Sequence, residues 1–178
     1  MKYLIVDTHL LISQIIYKKL LKQTNFKLNR LSFAYGNIKP DFIDNDIKCP
    51  HTLYDSLSSV NKYSKELMDP DISIKKFSRS LGVICHFACD YFCIYHREGN
   101  EKKGIVEHLF YEFILHIKLI SIILRGKLNL DDCEMSKNSV EDISMMLQKK
   151  YNLQSECLTR DITYALYSAL QISKLVID

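Results

Sequence analysis

Apolar positions recur along most of the chain at the three- and four-residue spacing of a helix, and no stretch reads as a convincing strand. A first helix is expected to open on Asp7 or Thr8 as its cap and to run to about Gln23, with Leu10, Leu11, Ile15, Leu20 and Leu21 among its apolar positions. The segment 33–42 reads as irregular, because Gly36-Asn37 and Pro40 punctuate it. A second helix is expected after Pro50, ending near Met68. Asp71 or Ser73 can cap a third and longest helix, read through Cys93 and as far as Arg97, with Gly99-Asn100 as its stop. A fourth covers about 104–124 and halts at Arg125-Gly126, and residues 138–151 and 156–177 supply two more. Without repeats, low-complexity tracts or linkers, the pattern predicts a compact all-α, multi-helix protein with one domain over 1–178.

Composition narrows the field mainly by exclusion. Of 178 residues, 47% are apolar and 25% charged, ordinary for a soluble globular chain, and a net charge of +3 is too small to argue for nucleic acid or an anionic membrane. The most apolar run, 109–124, is interrupted by Glu112, His116 and Lys118, so it is not a membrane span. Six cysteines suggest disulfides at first sight, but Cys85, Cys89 and Cys93 lie four apart on one expected helix. Their Cα atoms would stand about 6 Å apart with side chains splayed along the axis, a poor disulfide geometry. Only four apolar residues stand between Lys2 and Asp7, too few for a signal-peptide core. Reduced thiols and a cytoplasmic protein are therefore expected, with these three cysteines as small buried hydrophobes rather than ligands.

The histidines change the picture. His86 and Asp90 stand four apart on the third expected helix, and His108 and Glu112 repeat that spacing on the fourth, so each pair shares a helical face. An imidazole and a carboxylate one turn apart make a ready pair of zinc donors. His96 follows His86 by ten residues, which on a continuous helix points it roughly 80° away and suggests a separate ion. His9, Asp41 and His51 stand at expected element ends, where ligands are commonly presented. A single pair of this kind is more often a surface pair or a hydrogen-bonded core residue, and spacing alone leaves the two readings level. The chain has no His-Glu-x-x-His, no Cys-x-x-Cys and no His-Asp doublet, the last of which argues against helical phosphohydrolases built on such a doublet.

A family pattern runs through these residues. Gly36-Asn37-Ile38-Lys39-Pro40-Asp41, Pro50-His51, the stretch from Leu81-Gly82 through His86 and Asp90 to His96, and His108-Leu109-Phe110-Tyr111-Glu112 together resemble the zinc-dependent phospholipase C family. Its wider grouping includes the fungal P1 and S1 nucleases. The resemblance covers 9–112, leaving 113–178 as a helical C-terminal part, and it implies the grouping's all-helical fold. It also implies that His51, His86 and Asp90 hold one zinc ion, with Asp41 beside them as ligand or proton acceptor. His96, His108 and Glu112 would hold a second, and Asp90 would bridge to a third bound by His9. In the family that third ion is completed by an N-terminal tryptophan. This chain contains no tryptophan and starts at Met1, with Asp7 as a nearby substitute. Glu112 and the short step from His96 to His108 resemble the bacterial phospholipase branch more than the nucleases.

Zinc at such a cluster suits phosphodiester hydrolysis, because it supplies hydroxide at neutral pH and neutralises charge on the phosphoryl oxygens. The implied reaction hydrolyses a small phosphodiester, most simply a phospholipid cleaved to diacylglycerol and a phosphorylated head group, with Asp41 handling the water's proton and transient contact with a membrane surface. The alternatives are a single-strand nuclease, which would need nucleic acid as partner, and a non-catalytic zinc-binding protein. A cytoplasmic setting would place the enzyme against the inner leaflet, which favours tight restriction or a different phosphoester. Among lesser candidates, His116 reads as a non-ligand, Tyr35, Phe42 and Tyr95 as cleft-lining aromatics, and Lys39 and Arg97 as phosphate-attracting or merely solvated cations.

Overall fold

The computed structural model describes residues 3–42, 47, 49–96, 104–128, 130 and 139–177. Seven α-helices form among the described residues, with no strand: α1 (Tyr3–Thr24), α2 (Arg30–Phe42), α3 (Leu53–Glu66), α4 (Ile74–Asp90), α5 (Ile105–Leu124), α6 (Val140–Asn152) and α7 (Leu158–Ile177). A single 3-10 turn, Ile94–His96, follows α4.

Local chemistry sets most of these boundaries. The Thr52, Ser73 and Ser139 side chains accept hydrogen bonds from the backbone N–H of Asp55, Lys76 and Asp142, capping α3, α4 and α6. Beyond α5, Gly126 takes a φ of 63°, the left-handed conformation that ends helices.

Three expectations are corrected. The first helix begins at Tyr3 rather than at an Asp7 or Thr8 cap, and at 22 residues it is the longest. Where an irregular segment was expected, α2 forms. Its Gly36 is a notch rather than a breaker: a Cβ there would lie 2.0 Å from the Arg79 carbonyl oxygen, and one on Gly82 would lie 2.4 Å from that of Phe33. Two glycines facing each other let α2 and α4 cross backbone to backbone. Pro40 stands in the last turn of α2, where it leaves one helical hydrogen bond unmade and the helix ends two residues later. Finally, α4 stops at Asp90, short of Cys93. The proposed stop at Gly99-Asn100, like Arg97, lies outside the described residues.

Helix α4 runs through the centre of the molecule. Leu81, Val83, Ile84, Cys85, Phe87 and Ala88 are fully buried, facing neighbours on every side. Along α7, Leu166, Ala169, Leu170 and Ile172 are also sealed, and the Cys85 sulfur lies 3.1 Å from Ser173 Oγ. The Cys89 thiol reaches the Ala165 carbonyl at 3.7 Å, so these two thiols serve as helix-packing groups. All the described cysteines are free thiols, and Cys133 lies outside the described residues. Among the described residues, no helix is long and apolar enough to cross a membrane.

A second buried polar group knits the C-terminal helices together. Asp161 Oδ1 accepts from the Tyr151 hydroxyl at 2.7 Å and from Arg160 Nε and Nη2 at 3.1 Å, while Oδ2 accepts from the Tyr111 hydroxyl at 2.6 Å. Arg160 also donates to the Gln154 carbonyl at 2.8 Å and stacks over the Tyr151 ring at 3.9 Å. On the outer side of α5, by contrast, Val106, Phe110, Phe113, Ile117 and Leu124 form an exposed stripe at helical spacing.

Candidate metal centre

The centre gathers at the C-terminal end of α4. His86 is fully buried there, and its Nδ1 lies 2.9 Å from the Asn37 carbonyl oxygen of α2. A carbonyl only accepts, so Nδ1 carries a hydrogen and Nε2 is the nitrogen turned toward the other side chains. That Nε2 lies 3.1 Å from Asp90 Oδ2, 3.3 Å from His51 Nδ1 and 3.6 Å from Asp41 Oδ1. His51 arrives from the residue before the cap of α3 and places Nδ1 2.9 Å from Asp90 Oδ2. Asp41 arrives from the last turn of α2, which the glycine crossing presses against α4.

Asp90 faces two ways. While Oδ2 meets His51 and His86, Oδ1 lies 3.2 Å from His9 Nε2. His9 is not at a helix start but well inside α1, its ring stacked on His86 with centroids 4.1 Å apart. Asp7, two residues earlier on the same helix, projects to the far side and is exposed, so it does not join His9. Met1 lies outside the described residues.

The remaining donors form a neighbouring group. His108 Nε2 and Glu112 Oε1 on α5 are 2.8 Å apart. His96 does not sit on an extended third helix. It stands on the 3-10 turn after Asp90, so the helical-wheel argument for its direction does not apply. The turn sets its ring between the groups, 5.8 Å from His51 and 5.2 Å from His108 between centroids. Tyr95 stacks on His108 at 4.9 Å, nearly parallel, whereas His116 pairs with Thr8 Oγ1 at 3.0 Å, apart from the other histidines.

Electrostatics show why these side chains suit a cation. Asp90 is buried at the negative end of the α4 dipole. Burial alone would raise its pKa, yet His86, His96, His9 and His51 hold it well below the usual carboxylate range. Burial would lower His9 and His51, but Asp90 outweighs it and raises both. The His96 imidazole is lowered to about 4 by burial and by the neighbouring histidines, leaving it neutral and ready to donate a lone pair.

The donor set also passes a direct test of fit. His9 Nδ1, Asp41 Oδ2 and Glu112 Oε2 are buried with no hydrogen-bond partner, which native interiors seldom tolerate without a water or an ion. Four overlapping groups each bring their donor atoms within 4.8 Å of one another: His9–His86–Asp90, Asp41–His51–His86, His51–Asp90–His96, and Cys93–His96–His108–Glu112. Two donors about 2.3 Å from one ion stand at most about 4.6 Å apart, so groups this close need only a small inward shift to share an ion.

An all-helical chain with clustered imidazoles and carboxylates could hold metal ions between its helices. More specifically, the chain matches the model of the family described as zinc dependent phospholipase C over residues 8–167, and it belongs to that family, whose members are phosphodiester hydrolases. The match extends past Glu112 to take in α6 and the first half of α7. No curated protein and no solved structure matches the chain.

Sequence reasoning missed two contributors. Asn37 orients His86 through its backbone carbonyl, a role visible in sequence only as the residue after a packing glycine. Cys93 was read with Cys85 and Cys89 as a buried hydrophobe, but the end of α4 at Asp90 turns it toward His96, His108 and Glu112.

Proposed function

We propose that this chain cleaves a phospholipid phosphodiester to diacylglycerol and a phosphorylated head group. In this reading His51, His86 and Asp90, with Asp41 alongside, hold one zinc ion. His96, His108 and Glu112 hold a second, while His9 and Asp90 Oδ1 offer a third position. Zinc bound there would supply hydroxide at neutral pH and neutralise charge on the phosphoryl oxygens. Asp41 serves as proton acceptor: its Oδ2 is buried and unpartnered beside His86, so it can take the proton as water oxygen bonds to phosphorus. The bond from phosphorus to the glycerol oxygen breaks, and that oxygen leaves with a proton as diacylglycerol.

The observation that carries a lipid substrate is the outer face of α5. The helix that presents His108 and Glu112 inward exposes Val106 (69%), Phe110 (63%), Phe113 (44%) and Ile117 (50%) outward, with Arg125 and Lys127 exposed just beyond its end. An apolar stripe ending in cations suits a membrane surface with anionic head groups. It offers little to a nucleic-acid strand, which needs a basic groove.

Zinc-loaded protein should hydrolyse phosphatidylcholine vesicles and a soluble nitrophenyl phosphorylcholine faster than single-stranded DNA. Phe110→Ser with Phe113→Ser should slow vesicle hydrolysis selectively. Preference for DNA would move the chain to the nuclease side of the grouping. A fully loaded, folded protein inert toward all three would make it a metal-binding relative without catalysis.

A further inference from the structure

Within the second donor group, the residue that nothing in the family pattern assigns is Cys93. We propose that Cys93 supplies a thiolate as fourth ligand to the ion held by His96, His108 and Glu112, closing that site. The inference rests on the zinc reading of the centre and adds a ligand to it.

The backbone explains how the sulfur reaches the site. After α4 ends, Cys93 N–H donates to the Asp90 carbonyl at 2.9 Å, and His96 N–H donates to the Cys93 carbonyl at 3.1 Å. This tight turn puts Cys93 and His96 three residues apart on the same side, facing the first turns of α5. One donor atom from each of Cys93, His96, His108 and Glu112 then lies within 4.8 Å of the others. Glu112 is only 8% exposed, and its Oε2 is buried without a hydrogen-bond partner, so one oxygen of this carboxylate is left for a ligand while its Oε1 meets His108. The contrast with the other thiols on this stretch is direct. Cys85 and Cys89 point at Ser173, Ala169 and Ala165 of α7, away from the donors.

Chemistry gives the fourth ligand its meaning. Zinc is commonly held by four protein donors in closed sites and by three in sites that keep a position for water. A set of one sulfur, two nitrogens and one oxygen is complete, and the thiol's proton leaves to solvent as the ion binds. The group around His51, His86 and Asp90 contains no sulfur, and Asp41 stands beside it. The two ions would therefore divide the work, one closed and holding α5 against the end of α4, the other open toward substrate.

Cobalt(II) replaces zinc in such sites and reports a bound thiolate through a sulfur-to-metal charge-transfer band in the near ultraviolet. Cobalt-loaded protein should show that band, and Cys93→Ser should abolish it. Each of Cys49→Ser, Cys85→Ser, Cys89→Ser, Cys133→Ser and Cys157→Ser should keep it, which assigns the sulfur even if Cys93→Ser folds poorly. Cobalt bound without the band, or a band lost in one of those five variants, overturns the proposal while leaving the metal reading in place. A wild-type protein that takes up no cobalt overturns the metal reading and this inference with it.

Discussion

Two buried polar clusters lie close together in this molecule, and they are built on opposite principles. Around Asp161, both carboxylate oxygens, the Arg160 guanidinium and the Tyr111 and Tyr151 hydroxyls satisfy one another at 2.6–3.1 Å. Around Asp90, the side chains are equally polar and crowded, yet His9 Nδ1, Asp41 Oδ2 and Glu112 Oε2 are left without partners. Both clusters line one cavity of about 50 Å³, to which the first contributes Tyr111 and Asp161 and the second His9, Asp90 and Glu112. The difference separates a cluster that completes itself from one built to be completed by something else. Burial and charge alone would have ranked the two together.

The largest test removes the centre of the closed cluster. Asp161→Ala leaves Arg160 buried without its carboxylate and should cost about 3–5 kcal/mol in unfolding free energy, measured by urea titration. Zinc content per folded chain should be unchanged, and parallel loss of zinc would mean that the clusters are one cooperative unit.

Chelation tests the open cluster from the other side. A ligand that binds only the folded state stabilises it by about 2.7 kcal/mol at a hundredfold excess over its Kd. Stripping metal should therefore lower the Tm by several degrees and restoring zinc should recover it. No change would argue that the unpartnered atoms need no ion.

Asp90→Asn sharpens the contrast through pH. In chelator, the low Asp90 pKa contributes stability that is present above the ordinary carboxylate value of 3.8 and lost as pH falls through its folded value. The raised His9 and His51 contribute stability that is full below 6.5 and lost as pH rises through their folded values. Wild-type metal-free protein should thus lose these contributions on both limbs of its stability–pH profile, and Asp90→Asn should flatten both. An unaltered profile in the variant would detach Asp90 from the histidines.

Glu112→Ala should reduce bound zinc by about one ion per chain while the His51–His86–Asp90 group keeps its own, as metal analysis of purified protein would read. The smallest effect belongs to Tyr111→Phe. It removes one hydrogen bond to Asp161 and should cost about 1 kcal/mol with no change in zinc content.

What was legible in the sequence follows from how local each signal is. Helix α5, with Gly104 before it and Arg125-Gly126 after, and the His108–Glu112 pair on its face, could be read directly because spacing and caps lie within one element. Helix α2 could not, because Gly36 and Pro40 carry the same local signal in a loop as in a helix whose notch receives another glycine 46 residues later. The same limit hid Asn37 and Cys93, whose roles depend on where α4 crosses α2 and where it ends. The four-residue step brings His86 and Asp90 to 3.1 Å because both lie on α4, whereas His96 stands on a turn beyond the end of that helix, where helical spacing gives no direction.

The crossing at Gly36 and Gly82 has a consequence for how this sequence can drift. Main chain meets main chain there, so the hold of Asn37 on His86 depends on no side-chain size at the contact itself. A saturation library scored for zinc retention should therefore show two nearly empty columns, at 36 and 82. Exposed neighbours such as Leu31 and Lys75 should accept most replacements. Even alanine, usually the gentlest exchange, would force the two helices apart at the point that aims the imidazole. The register between the His86 imidazole and its orienting carbonyl is thus encoded by the absence of two methyl groups.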